Sequence, residues 1–253
     1  MGFADARLHS EATGRALDGG SSGIGVDPQP DDVRSAVRDW LAEHWSPDLD
    51  LYQWRSMLVD AGWAVPAWPR TWFGQELPDW SVPLVANEID ATGAVGIAVG
   101  GGTTLAAPSI LALGPDSLRH RFLHRTITGE VTWCQLFSEP GAGSDLAGLS
   151  TSAVLDGDRW IVNGQKLWNT SAHHADYGLL LARTDPAAPK HAGITYFVLP
   201  MHQPGVEVRP LRQMNDHSSF NEVFLTDAEV PVDLVIGEVG KGWTGALTTL
   251  AFE

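Results

Sequence analysis

The sequence predicts an α+β protein in which an all-helical unit precedes a β-barrel unit, and two changes of texture predict it. Apolar residues recur at helical spacing from Asp31 to about Gly129. Beyond Gly129 they fall into short alternating runs separated by turn residues, which is the pattern of strands. A third observation limits the class further: no run of about 18 uninterrupted apolar residues exists, so no membrane-spanning helix is expected.

Residues 1–30 are rich in Gly, Ser and Asp and end in Asp27-Pro28-Gln29-Pro30. They are expected to form a mobile arm, and they lack the apolar core of a secretory signal. Within them, Gly19-Gly20-Ser21-Ser22-Gly23-Ile24-Gly25 has the look of a dinucleotide phosphate turn. Such a turn needs a buried strand before it and a helix directly after it. Glu11-Ala12-Thr13-Gly14-Arg15 is no buried strand, and the two prolines after the turn disfavour helix. The motif is set aside.

The helical unit covers residues 31–130. Val33, Val37, Trp40 and Leu41 form one apolar stripe, and Leu51, Trp54, Leu58 and Ala61 a second that Gly62 stops. Pro66 to Pro78 reads as a Pro- and Trp-rich loop. Ser81 is expected to cap a helix through Leu84, Val85, Glu88 and Ile89, with Pro83 near its start. Thr104–Leu113 and Ser117–Ile127 read as two more helices, broken at Gly114-Pro115.

The β unit covers residues 131–240. Ser152–Leu155 and Trp160–Gly164 flank Asp156-Gly157-Asp158, a hairpin signal. Tyr177–Ala182, Gly193–Pro200, Val206–Pro210 and Glu222–Leu225 continue as short strands. Residues 241–253 begin a new helix, which at this length is not expected to stand alone.

Formal net charge is −15, which argues against nucleic-acid binding. Any anionic ligand must then rely on local cations and backbone N–H groups. Arg119, Arg121 and Arg125 lie close together, and Lys166, Arg183, Arg209 and Arg212 are scattered. For most of these, solvated surface charge is the expected role. The single cysteine, Cys134, excludes an internal disulfide and fits a reducing, cytoplasmic setting. Its place in Val131-Thr132-Trp133-Cys134 makes it a packing thiol. The eleven tryptophans suit large flat ligands and thick cores equally.

The segment Leu136-Phe137-Ser138-Glu139-Pro140-Gly141-Ala142-Gly143-Ser144-Asp145-Leu146-Ala147-Gly148 carries the chemistry. It sets hydroxyls and small residues where a strand enters a turn, leaving backbone N–H groups open to a planar polar ring or a pyrophosphate. Together with Asn163-Gly164-Gln165-Lys166-Leu167-Trp168-Asn169-Thr170, Phe220–Leu225, Val230-Pro231 and Gly237–Trp243, it resembles the acyl-CoA dehydrogenase family. The match is strong over 131–253 and looser over 31–130.

The resemblance implies a helical N-terminal domain, a β-barrel middle domain and a C-terminal helical bundle, so the chain reads as truncated before that bundle. It also implies noncovalent FAD. By similarity Gln135, Phe137 and Ser138 would line the flavin, and Trp168, Asn169 and Thr170 would pack beside its ring. Trp168 is the residue with the strongest competing expectation, a buried core position. Gly143 and Ser144 would face the cofactor phosphates or the acyl-CoA substrate, with Ser144 the substrate contact. Leu136 and Phe137 are bulkier than the family's usual residues, and Asn169 replaces a commoner Ile, Thr or Ser.

The implied reaction is α,β-dehydrogenation of an acyl-CoA thioester to trans-2-enoyl-CoA. A carboxylate takes the α-proton while the β-hydride passes to the flavin. Glu253 falls where some members place that carboxylate; in most it lies in the missing bundle. An electron-transfer flavoprotein is the implied acceptor, and a homo- or hetero-oligomer is expected from an open apolar face on the last helix and on one flank of the β unit. Two other readings share the architecture: a flavin monooxygenase or nitroalkane oxidase, and an inactive subunit of a heteromeric dehydrogenase.

Overall fold

The computed structural model describes residues 28–253; the readings placed on residues 1–27, including the glycine turn at 19–25, lie outside the described residues. Pro30, assigned to the arm, opens the first helix, α1 (Pro30–His44), where its missing N–H costs nothing. Val33, Val37 and Leu41 bury one stripe of α1. The second helix, α2 (Leu51–Asp60), begins at Asp50, whose carboxylate accepts from the backbone N–H groups of Tyr52 and Gln53 at 2.9 and 3.1 Å. Gly62 ends it with φ +78°, a conformation that suits glycine. Trp54, Leu58, Trp63, Val85 and Ile89 complete the core with α1.

The third helix, α3 (Ser81–Ala91), corrects one reading. Trp80 is its cap, Ser81 is the first helical residue, and the Ser81 hydroxyl is buried without a partner among the described residues. A π-helical turn (Gly102–Ala106) runs into α4 (Ala107–Leu113), and Gly114-Pro115 separates this from α5 (Asp116–Thr128).

The strands are β1 (Trp133–Leu136), β2 (Ser152–Asp156), β3 (Arg159–Thr170), β4 (Tyr177–Arg183), β5 (Ile194–Pro200), β6 (Val206–Leu211) and β7 (Phe220–Pro231). They form one seven-stranded sheet of order β1-β4-β2-β3-β7-β6, with β5 also on β4. Its end strands β1 and β6 do not pair, so the expected barrel is a curled half-barrel. Gly157, at φ +61°, turns β2 into β3 as the Asp-Gly signal predicts. The β3–β7 ladder slips at Val162/Gly164 and again at Leu167/Asn169. The second slip aims Trp168.

Helices and sheet share one core, in which Val59, Ile110 and Phe122 join Leu136, Leu180, Phe197 and Val223. The last helix, α6 (Gly242–Leu250), docks through small residues. A Cβ on Gly242 would sit 2.6 Å from the Thr195 backbone, and one on Gly245 would sit 2.6 Å from the Tyr196 ring. Thr249 completes the contact, its hydroxyl bonded to Ser109 at 2.7 Å and Tyr196 at 2.9 Å. Leu247, Leu250 and Phe252 stay exposed on the other side, as do Val154 and Leu155 on β2.

A cavity between the helical unit and the sheet

Where the helical unit meets the end of β1 and β3, the fold leaves a cavity of about 800 Å³. Its sheet wall includes Gln135 from β1 and Trp168 and Thr170 from β3. The helical wall comes from the segment 98–105, including Gly100-Gly101-Gly102, together with Arg55 on α2. His174, Phe252 and Glu253 also line it.

The sheet wall is built with unmet demands. Trp168 sits at φ +64° on the β3 bulge, a strain on the order of 1–3 kcal/mol for a bulky residue. The residue is 61% exposed, so the expected alternative of a buried core tryptophan is wrong. Gln135 Nε2 and Asn169 Oδ1 are buried and have no hydrogen-bond partner among the described residues. Each such atom forfeits about 1–3 kcal/mol of solvation unless a ligand meets it. Asn169 does not line the cavity but supports it, its Nδ2 donating to Gln135 O at 2.8 Å.

Behind that wall lies a buried ion pair, although Lys166 is one of the scattered cations for most of which the expected role is surface charge. Lys166 is fully buried and donates to Glu139 Oε1 at 2.9 Å and to Phe137 O at 3.0 Å. Glu139 also accepts from Ser150 N, Ser150 Oγ and Thr151 N at 2.7, 2.8 and 3.0 Å. Burial works against the carboxylate, but the Lys166 ammonium and these donors outweigh it and hold Glu139 well below the usual carboxylate range. Burial pushes Lys166 down from the ordinary lysine range, and Glu139 limits that fall. The pair closes the 139–151 loop and ties it to β3. The Leu167 N–H adds a bond to Ser138 O at 2.9 Å.

The remaining expected residues sit outside the cavity wall. Phe137 is buried with its ring 5.8 Å from Tyr196. Ser138 is half-buried, and Gly143 and Ser144 are exposed on the loop. Cys134 is a packing thiol as expected: it is buried, its Sγ lies 4.0 Å from Met201 Sδ, and burial pushes it up to about 12. Sequence reasoning missed Arg55, His174 and the 98–105 wall. The three consecutive glycines at 100–102 were the available signal for that wall.

Comparison with known proteins accounts for this arrangement. The acyl-CoA dehydrogenase N-terminal domain matches residues 29–130, and the acyl-CoA dehydrogenase middle domain matches residues 134–228. Acyl-CoA dehydrogenase FadE34 of Mycobacterium tuberculosis is 47% identical over 198 residues, covering 78% of this chain and 27% of FadE34. Acyl-CoA dehydrogenase IpdE1 of the same organism is 36% identical over 240 residues, covering 88% of this chain and 62% of IpdE1. Among solved structures, the ChsE4–ChsE5 complex from Mycobacterium tuberculosis matches with a TM-score of 0.67 at 31% identity, over 91% of this chain and 61% of that one. The Tcur3481-Tcur3483 steroid ACAD, as its G363A variant, matches with a TM-score of 0.69 at 26% identity, over 88% of this chain and 61% of that one. The chain thus spans about a quarter of FadE34 and under two thirds of IpdE1. Domain order, sheet and sequence all agree: this chain belongs to the acyl-CoA dehydrogenase family.

Proposed function

We propose that this chain supplies the FAD- and acyl-CoA-binding cavity of an enzyme that dehydrogenates an acyl-CoA thioester to trans-2-enoyl-CoA. The observation that carries the proposal is the sheet wall: a strained, exposed Trp168 beside Gln135, whose buried Nε2 has no partner among the described residues. A flat ligand with a polar rim meets both demands at once. An isoalloxazine offers a face for the indole and ring acceptors for the amide. The family in general uses FAD, which supports the assignment.

Gln135, Trp168 and Thr170 would hold the ring, while Asn169, Phe137 and Ser138 fix the wall behind them. Gly143 and Ser144, exposed on the loop, would offer backbone N–H groups and a hydroxyl to phosphate or thioester groups, Ser144 being the substrate contact. Bound FAD supplies the acceptor for the β-hydride. The α-proton goes to a carboxylate of the protein, and Glu253, which lines the cavity, is the candidate on this chain. The small residues at 100–102 leave room there for an acyl group. An electron-transfer flavoprotein would reoxidise the enzyme. One solved neighbour is a complex of two chains, which supports pairing of this chain with a second copy or a related subunit. Among the described residues no helix is long and apolar enough to cross a membrane.

Anaerobic titration with acyl-CoA tests the proposal. The purified protein should be yellow and should bleach, and Glu253→Gln should keep the colour but lose the bleaching. A yellow protein that resists bleaching and consumes oxygen would instead be a monooxygenase or oxidase. A colourless one would be a noncatalytic subunit.

A further inference from the structure

Seven arginines lie between residues 28 and 130: Arg34, Arg38, Arg55, Arg70, Arg119, Arg121 and Arg125. Six have a carboxylate within 4.0 Å. Among the described residues Arg55 has none, although the chain carries 31 acidic residues. It is half-buried on α2 and lines the cavity. Its Nε donates to Gly96 O at 3.0 Å and its Nη1 reaches Thr128 O at a long 3.4 Å. Two backbone carbonyls therefore orient the guanidinium, and Nη2 is left without an acceptor among the described residues. Burial lowers its pKa, and no opposing carboxylate offsets that shift. A cation taken partly out of water without a counter-ion is costly, and an oxyanion in the cavity removes that cost.

Position decides which oxyanion. The flavin wall proposed above is on the sheet side, at Gln135, Trp168 and Thr170, whereas Arg55 belongs to the helical side. The room left by Gly100-Gly101-Gly102, assigned above to the acyl group, lies on that same helical wall, so an acyl chain that fills it ends on the side of Arg55. We infer that Arg55 binds a carboxylate at the far end of the acyl chain, so that the cavity prefers ω-carboxyacyl-CoA over a plain acyl-CoA of equal length. The inference rests on the cavity being the acyl-CoA site.

Enoyl products bind without being dehydrogenated, so they report affinity alone. Calorimetric titration of the FAD-loaded protein would compare trans-2-hexenedioyl-CoA, trans-2-hexenoyl-CoA and CoA. The wild type should bind the carboxylated thioester about tenfold or more tightly than the plain one, the worth of one charge-assisted hydrogen bond. Arg55→Gln should erase that ratio while holding the plain thioester within about twofold, and Arg55→Lys should keep part of it. Equal affinities in the wild type would overturn the inference and leave the proposed function standing. Equal losses for both thioesters and CoA in Arg55→Gln would also overturn it, assigning the cation to the CoA phosphates or to the fold. Should Arg55→Gln fail to retain FAD, the wild-type ratio and its change in Arg55→Lys decide the matter. A wild type that binds neither thioester sinks both readings.

Discussion

Replacing Glu139 by Gln should destabilise the protein more than replacing Lys166 by Met, and the double variant should cost less than the two together. Glu139→Gln leaves the Lys166 ammonium, 0% exposed, with only Phe137 O and a neutral amide. Removing one partner of a buried pair costs about 3–5 kcal/mol. The lysine can escape by losing its proton, which at pH 7 costs about 4.6 kcal/mol, at 1.36 kcal/mol for each of about 3.4 pH units. The two figures agree. Lys166→Met leaves the Glu139 carboxylate with three donors, from Ser150 and Thr151. Protonating an ordinary carboxylate at pH 7 sets a lower ceiling of about 3.7 kcal/mol, and the retained donors reduce the expected loss to about 2–3 kcal/mol. The double variant leaves no unpaired charge, so it should fall short of the sum by about 2 kcal/mol or more. Urea denaturation of all four proteins with a common slope measures this cycle. Additivity to within about 0.5 kcal/mol would mean that the two charges do not depend on one another, and the clamp between the 139–151 loop and β3 would be refuted.

Three further outcomes follow from the same geometry. The Glu139 pKa is depressed in the folded state, so its contribution is complete above the ordinary carboxylate pKa and fades as pH falls below it. Urea midpoints should drop on acidification in the wild type and drop less in Glu139→Gln; parallel pH profiles would refute the assignment. Trp168→Gly relieves a left-handed backbone and should leave stability unchanged or raise it by about 0.5–1 kcal/mol, while FAD affinity falls; a large loss of thermal stability would show that the indole serves the core. Gly242→Ala drives a Cβ to 2.6 Å from the Thr195 backbone and should cost about 1–3 kcal/mol, with proteolysis near α6 as the readout; wild-type resistance would mean that α6 docks elsewhere.

Local chemistry made much of the fold legible. The stripe Val33, Val37 and Leu41, the stop at Gly62, the break at Gly114-Pro115 and the turn at Gly157 all stand where sequence spacing put them. Each is settled within a few residues of chain. The order of the strands is not, because β1 pairs in parallel with β4 across more than forty residues. Lys166 shows the limit most clearly. Its charge points to the surface, and only Glu139, 27 residues away, makes burial tolerable. Trp168 fails the opposite way, since its size points to the core while a register slip in β3 turns it outwards. Ser81 has a cap's chemistry, but the chain enters the helix one residue earlier. Arg55 resembles any surface arginine until the carboxylates near its neighbours are counted.

The central claim is that the wall of Gln135, Trp168 and Thr170 holds a flavin. Calorimetric titration of flavin-stripped protein with FAD tests it most directly, alongside Gln135→Leu and Trp168→Gly. The account predicts one FAD per chain, with weaker binding in both variants and unchanged folding. No binding, or binding at full strength in both variants, would contradict it.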